Sequence, residues 1–327
     1  MKDLKTSSSA KLNTPATGQS IHVFAPATVG NAVCGFDVIG FAVNEPGDEV
    51  IMRVTDKPGL TISKITGDNG RLPLDPAKNT VCVSVQHYLQ SISLTHIGLD
   101  IELHKKMPIG SGLGSSAAST VAGLFAIKTL LGDTTDPAKL IPFAMKGEEL
   151  ACGNGHADNV APALLGGFVL IRSYEPLDVV RLPHPPGLYC ALVYPHVNVS
   201  TREAREIIPA KVPMKDAVIQ WGNIAGLVSG LFMNDIDLIG RSMQDVLVEP
   251  VRSILIPGFY QMRDIAMNAG AVSFGISGSG PTVFAFTRTE ELAKHIAQSL
   301  SKHLASINMG SNTYLSAIND TGPRVLG

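Results

Sequence analysis

Pro108-Ile-Gly-Ser-Gly-Leu-Gly-Ser-Ser-Ala-Ala-Ser119 lies between a segment of alternating apolar residues and a long apolar helical pattern. Its three glycines, Gly110, Gly112 and Gly114, admit left-handed or extended backbone and remove the side chains that would hold a polyanion away from the amides. Ser115 and Ser116 then open the helix, where N–H groups without partners and the positive end of the dipole favour phosphate. A strand-to-helix turn with ordinary caps is the plainer reading. Against it stand the length of the small-residue run and the absence of any acidic side chain from Lys105 to Thr120. The stretch therefore reads as a phosphate cradle. No Gly-Lys-[Ser/Thr] follows it, so it is not a P-loop.

Working outward, Ile97, Leu99, Ile101 and Leu103 alternate with polar residues and mark a half-buried strand that leads into the cradle. Behind the cradle, residues 116–131 are rich in Ala, Val and Leu and read as a buried helix closed by Gly132. Lys78–Ser91 has helical spacing with Asn79 as its cap. A helix from about Asp136, with Pro137 in its first turn, carries Glu148 and Glu149 near its end. The Gly-rich loop that follows crowds His156, Asp158 and Asn159 into four residues, with capping or packing as the plain alternative. Nearer the N-terminus, the strand Ile21–Phe24 runs into a loop of small residues whose strongly polar side chains are Asn31 and Asp37. Turn chemistry and function explain that pair equally well. Val38–Val43 and Val50–Val54 read as two strands with a turn at Asn44–Asp48.

In the second half, Gly167–Ile171 reads as a strand and the Pro- and charge-rich stretch Tyr174–Pro186 as a connection between domains. After the strand Leu188–Tyr194, Ser200 or Thr201 caps a short helix on which Thr201 and Arg205 share a face. Helical patterns follow at about 215–234 and 237–247, with Arg252 beyond the break. A hairpin over 271–286 turns through a second Gly/Ser loop, Ser277-Gly-Ser-Gly-Pro281, which is expected to close on the same phosphates. A helix at 290–304 and a strand near 314–318 complete an α+β unit. The expected division is a disordered tail over 1–20, an N-terminal domain over 21–175 and a C-terminal domain over 176–327.

Of the 327 residues, Lys and Arg supply 26 charges against 28 from Asp and Glu, scattered along the chain. No broad basic face for nucleic acid follows from such a balance. No apolar run reaches the roughly 18–20 residues that span a bilayer, so no membrane role is expected. The four cysteines, Cys34, Cys82, Cys152 and Cys190, form no C-x-x-C pair and read as buried thiols in a reducing cytoplasm. Residues 1–20 lack the apolar core of a secretory signal; a tail and a short transit peptide share their composition.

The combination resembles the GHMP kinase superfamily, and within it the members that phosphorylate homoserine. Carrying the resemblance are Pro-x-x-x-Gly-Leu-Gly-Ser-Ser-Ala-Ala at 108–118, the Ala25-Pro…Asn31…Gly-Phe-Asp37 segment, His156-Ala-Asp-Asn-Val-Ala-Pro162, Val199-Ser-Thr-Arg-Glu-Ala-Arg205 and Ser277-Gly-Ser-Gly-Pro281. It covers the chain from about residue 21. The implied fold is α+β in two domains: a nucleotide-binding α/β domain with a mixed sheet, then a ferredoxin-like α+β domain. The implied reaction is Mg²⁺-assisted phosphoryl transfer from ATP to the side-chain hydroxyl of L-homoserine, in a homodimer. On this resemblance Pro108, Ile109, Gly110, Ser111, Gly112, Leu113, Gly114, Ser115, Ser116, Ala117 and Ala118 would surround the phosphates, joined by Gly278, with Asn79 near the adenine. Ser116 and Glu148 would hold the Mg²⁺, Glu149 being the competing ligand. Arg205 and Arg252 suit the substrate carboxylate. Asp37 and Asn31 would receive the polar end, with His156, Asn159 and Thr201 around them. Asn159 and Asp37 would orient the hydroxyl for direct attack, and Asp158 ranks below them as a base. Mevalonate- or shikimate-type substrates, and a non-catalytic ligand-binding role, are the alternatives.

Overall fold

A computed structural model describes residues 12–153 and 155–327. The chain runs β1 (Ser20–Val29), β2 (Ile39–Thr55), β3 (Gly59–Thr66), α1 (Thr80–Ser91), β4 (Gly98–His104), α2 (Ser115–Leu130), α3 (Ile141–Cys152), α4 (Ala157–Leu165), β5 (Phe168–Tyr174) and β6 (Leu177–Leu182). Then follow β7 (Tyr189–Pro195), α5 (Thr201–Glu206), α6 (Met214–Met233), α7 (Ile236–Ser242), α8 (Glu249–Arg252), α9 (Phe259–Asn268), β8 (Ser273–Ile276), β9 (Val283–Thr287), α10 (Glu290–Ser306), β10 (Ser311–Ala317) and β11 (Arg324–Val325).

The first sheet has seven strands in the order β11-β1-β2-β4-β3, with the β5–β6 hairpin branching from β2. Only β3 and β4 pair in parallel, so the sheet is mixed, as expected. The second sheet is antiparallel with the order β10-β7-β9-β8. With α10 between β9 and β10, this is the split β-α-β-β-α-β arrangement of a ferredoxin-like unit. Phe41 of β2 and Phe168 of β5 stack at 4.9 Å, and Phe286 of β9 approaches Phe41 at the same centroid distance. Fully buried, these rings fasten the two sheets face to face, each contributing on the order of 2 kcal/mol.

Several local expectations are revised. β2 is one strand of 17 residues; the turn expected at Asn44–Asp48 is an irregularity inside it, where the pairing with β1 shifts between Pro26 and Thr28. β3, an edge strand whose residues are nearly all partly or fully exposed, escaped the sequence pattern. The stretch read as an interdomain connection instead holds β6, which pairs with β5 from Phe168↔Leu182 to Tyr174↔Leu177. Thus the first sheet continues to Leu182, and β11 returns to it beside β1. Of the expected tail, residues 1–11 lie outside the described residues. Leu12 packs on the core, Asn13 N–H donates to Leu131 O at 2.7 Å, and Gly18 N–H donates to Val54 O at 2.9 Å. Cys34, Cys82 and Cys190 are buried free thiols, and burial pushes Cys34 and Cys82 up to about 12.

Candidate active site

The cradle is built from below. Asp48, fully buried on β2, accepts from Ser115 Oγ at 2.8 Å and Ser119 Oγ at 3.0 Å, and from the backbone N–H of Lys106 and Met107. Lys105, at the end of the strand leading into the cradle, pairs with Asp48 and donates to Ser115 O at 2.9 Å. This buried pair ties the end of β4 to the first turn of α2, so the loop between them is held at both ends. The stretch has no acidic residue of its own, and the counter-charge to Lys105 comes from Asp48 on β2.

Gly114, at φ 66°, caps α2 without any side-chain hydrogen bond, so the first N–H groups of the helix face the cleft unoccupied by a cap. Gly110 and Gly112 are also left-handed, at φ 75° and 83°. Leu113, Ala117 and Ala118 point into the core, and their share in the cradle is backbone alone. Asn79 caps α1, accepting from Val81 N–H at 3.1 Å and donating to Pro73 O at 3.2 Å. Its position is on the cleft wall near Leu72, Pro73 and Leu150.

The second Gly/Ser loop lines the cleft through Gly278 and Ser279 and is bonded to the cradle itself. Ser277 Oγ donates to Gly112 O at 2.7 Å, Thr282 N–H to Ser111 O at 3.1 Å, and Gly278 N–H to Gly30 O at 3.1 Å. With these donors committed to the protein, the loop braces the cradle from behind. A Cβ on Gly112 would come within 2.5 Å of Ser277 O and 2.8 Å of Gly280 O. Gly112→Ala should therefore lose about 2 kcal/mol, seen as a fall in Tm of roughly 5 °C, and raise KM for the nucleotide. Unchanged Tm and KM would mean that the two loops part freely.

At the other end of the cleft sits a cluster of charges. Asp37, itself left-handed at φ 60°, receives Arg205 Nη2 at 2.7 and 2.9 Å on its two oxygens. His156 Nδ1 stands 3.7 Å from Asp37 Oδ1. Burial lowers the His156 pKa, Asp37 opposes that, and Arg205 and Arg252 add to it. Arg252 is 3 % exposed; it donates to Ala204 O at 2.9 Å and Gly278 O at 3.2 Å, and burial brings it down to about 10. Both guanidinium groups lie over the Phe36 ring, at 5.3 and 5.0 Å from its centroid. Thr201 Oγ1 meets Ser279 Oγ at 3.1 Å, joining α5 to the bracing loop.

Asn31 has both ends of its amide occupied: Nδ2 donates to Gly278 O at 2.7 Å and Oδ1 accepts from Asp37 N–H at 3.0 Å. It shapes the loop that presents Asp37. Asn159 Oδ1 accepts from Thr28 Oγ1 at 2.8 Å, and its amide lines the cleft. Asp158 is 2 % exposed, with Oδ2 accepting from Asn31 N–H at 3.0 Å and Oδ1 buried without a partner among the described residues; burial and the nearby Asp37 charge push it up to about 7. Tyr174, which no sequence pattern marked, donates to Asp37 O at 2.8 Å and so props the same loop from β5.

Glu148 and Ser116 meet in the middle of the cleft. Glu148 Oε1 and Ser116 Oγ are both buried and lack a hydrogen-bond partner among the described residues. Burial pushes the Glu148 carboxyl up, and the Ser116 hydroxyl and Lys105 oppose it. Glu149 faces away, 53 % exposed and paired with Lys146 at 2.7 Å. No group of three or more His, Cys, Asp or Glu side chains suited to a metal occurs among the described residues. Asn79, the cradle from Ile109 to Ser116, Glu148 and the Asp37, His156, Arg205 and Arg252 cluster line one cleft of about 400 Å³, within the size range of small-molecule sites.

An anion-binding helix start at one end and an Asp/Arg/His cluster at the other, on these two sheets, define a small-molecule kinase of the GHMP type. Sequence profiles of the GHMP kinases N terminal domain and the GHMP kinases C terminal region match residues 79–167 and 224–306. Homoserine kinase of Chlorobium phaeovibrioides is 48 % identical over 94 % of this chain and 100 % of its own, and that of Chloroherpeton thalassium is 47 % identical over 93 % and 98 %. The crystal structure of homoserine kinase from Cytophaga hutchinsonii is 56 % identical, with a TM-score of 0.92 over 97 % of this chain and 100 % of that one. The chain belongs to the homoserine kinase family of the GHMP kinases.

Proposed function

We propose that this chain transfers the γ-phosphoryl group of ATP to the side-chain hydroxyl of L-homoserine. The observation that carries the reading is the Asp37–Arg205 pair with buried Arg252 beside it. In the protein without substrate, Asp37 and Arg205 neutralise each other across the acceptor end of the cleft. An α-amino acid brings the same two charges. Its carboxylate takes the Arg205 and Arg252 guanidinium groups, and its ammonium takes Asp37, so the exchange leaves no charge unpaired. A substrate without the amino group breaks the pair and leaves Asp37 without a cation.

The hydroxyl end of the substrate then extends toward the cradle, where Asn159 and Asp37 orient it. A loose phosphoryl-transfer transition state needs alignment and charge neutralisation more than covalent help, which suits direct attack. The bare first turn of α2 binds the phosphates, and the Leu72, Pro73 and Leu150 side of the cleft accommodates the base near Asn79. Ser116 and Glu148 fit a Mg²⁺ ion: two buried oxygens without partners are what a hard cation that keeps phosphate and water ligands asks of a protein. Bound there, the ion would neutralise charge on the transferring phosphoryl group. Among the described residues no helix is long and apolar enough to cross a membrane. The buried free thiols support work in a reducing cytoplasm, and the family resemblance supports a homodimer.

A coupled ATPase assay across L-homoserine, 4-hydroxybutyrate, mevalonate, shikimate and L-serine tests the substrate. L-Homoserine should exceed 4-hydroxybutyrate, which differs only by the ammonium, by at least about 10² in kcat/KM, the value of one charge-assisted contact. Equal or better turnover of a substrate lacking the amino group would overturn the assignment.

A further inference from the structure

Asp37 and Arg252 lie on separate pieces of chain, and one buried amide touches both pieces. Gln220, on the inner side of α6, is 4 % exposed. Its Nε2 donates to Cys34 O at 2.9 Å, and its Oε1 accepts from Val246 N–H at 3.1 Å. A carbonyl accepts and an N–H donates, so a single orientation of the amide satisfies both. Cys34 stands three residues before Asp37, and Phe36 of the same loop is the ring under both guanidinium groups. Val246 opens the segment that carries Arg252.

Both pieces are held in shape, so the amide fixes a distance as well as a contact. On the Val246 side, Asp245 accepts from the N–H groups of Leu247, Val248 and Glu249 at 2.8, 3.0 and 2.9 Å. One turn of α8 then ends at Arg252, whose backbone N–H donates to Val248 O at 3.0 Å. Asn223, one turn along α6 from Gln220, donates to Gln244 O at 2.8 Å and steadies the same segment. On the Cys34 side, Asn31, Val33 and Asp37 are all left-handed, at φ 67°, 58° and 60°. That conformation is strained for a β-branched residue such as Val33, so the loop keeps its shape only while its surroundings hold it. Tyr174 and Asn31 hold the Asp37 end, through Asp37 O and Asp37 N–H. Gln220 holds the middle.

We propose that Gln220 is a positioning residue for substrate selection: by tying Cys34 to Val246 it fixes the separation of Asp37 from Arg252, and with it the spacing of ammonium and carboxylate that the cleft accepts. The proposal rests on the reading of Asp37 and Arg252 given above and adds what sets their spacing. Gln220 lies outside the lining of the cleft and acts through the two segments it joins. The test compares L-homoserine with 3-amino-5-hydroxypentanoate, which keeps the separation of ammonium and hydroxyl and moves the carboxylate out by one methylene. With the wild type, L-homoserine should lead by at least about 100-fold in kcat/KM, because the displaced carboxylate loses its guanidinium partners. Gln220→Leu removes both bonds at similar volume. It should cut that lead at least about tenfold, through a higher KM for L-homoserine with kcat within about threefold of the wild type. Gln220→Glu keeps the acceptor for Val246 N–H and, when ionised, loses the donor to Cys34 O, so its lead should fall between the two. The dissociation constant for the nucleotide should stay within a few-fold in both variants and shows that they are folded. An undiminished lead in either folded variant would overturn the proposal. Equal use of the two compounds by the wild type would overturn it without any variant. Failure of the underlying reading looks different: the wild type would then not prefer L-homoserine to 4-hydroxybutyrate.

Discussion

Asp37→Asn should lower kcat/KM for L-homoserine by about 10³ while leaving the dissociation constant for the nucleotide within a few-fold of the wild type. The size follows from what the carboxylate holds. It faces Arg205 through two bonds of 2.7 and 2.9 Å, and His156 approaches it at 3.7 Å. Removing one partner of a hydrogen-bonded charge pair costs about 3–5 kcal/mol when the other charge stays in place, and each 1.36 kcal/mol is tenfold in rate. The nucleotide is spared because the cradle is organised by Asp48, Lys105 and Ser277, none of which touches Asp37. The same variant gives a sharper measurement. Because the asparagine can no longer hold a cation, the preference for L-homoserine over 4-hydroxybutyrate should shrink by most of its wild-type ratio. If both substrates lose equally, Asp37 shapes the loop and does not receive the ammonium.

The cradle and most of the acceptor cluster were legible in the sequence because they lie in short, compositionally distinct loops. Gly110 to Ser116, His156 to Asn159, and Thr201 with Arg205 each declare themselves within a few residues. What stayed hidden depends on partners distant in the chain. Asp48 sits 57 residues from Lys105, inside what reads as a turn, and only the pairing of β2 with β4 brings them together. Tyr174 reaches across 137 residues to the Asp37 carbonyl. The bracing role of the Ser277–Pro281 loop was obscured for the same reason: glycine and serine look alike whether their amides face a phosphate or another loop. β3 and β6 escaped because partly exposed edge strands lack the clean alternation of half-buried ones. The choice of Glu148 over Glu149 rested on resemblance; the helix shows its physical side, one carboxyl turned into the cleft and the other toward Lys146 in solvent.

Asp158→Asn should divide its effects between stability and rate in a way that decides what the carboxyl does. Buried beside Asp37, the Asp158 carboxyl is raised from 3.8 to about 7. Between pH 4 and 7 the folded protein therefore keeps a proton that the unfolded chain releases. For a raised carboxyl the stabilisation is complete below pH 4 and is lost as pH rises through 7, so at pH 8 the charged group weighs against the fold. An asparagine has no charge to desolvate and can still accept from Asn31 N–H. The variant should match the wild type in Tm near pH 4 and exceed it at pH 8, by about 1–3 kcal/mol in unfolding free energy. Its kcat should fall by no more than about 10², because Asn159 and Asp37 still orient the hydroxyl and the transition state asks for alignment first. A fall beyond about 10³ with KM unchanged, roughly 4 kcal/mol, would instead make Asp158 the base that takes the hydroxyl proton. The unpartnered Oδ1 would then be its acceptor atom, poised by burial rather than left over from folding.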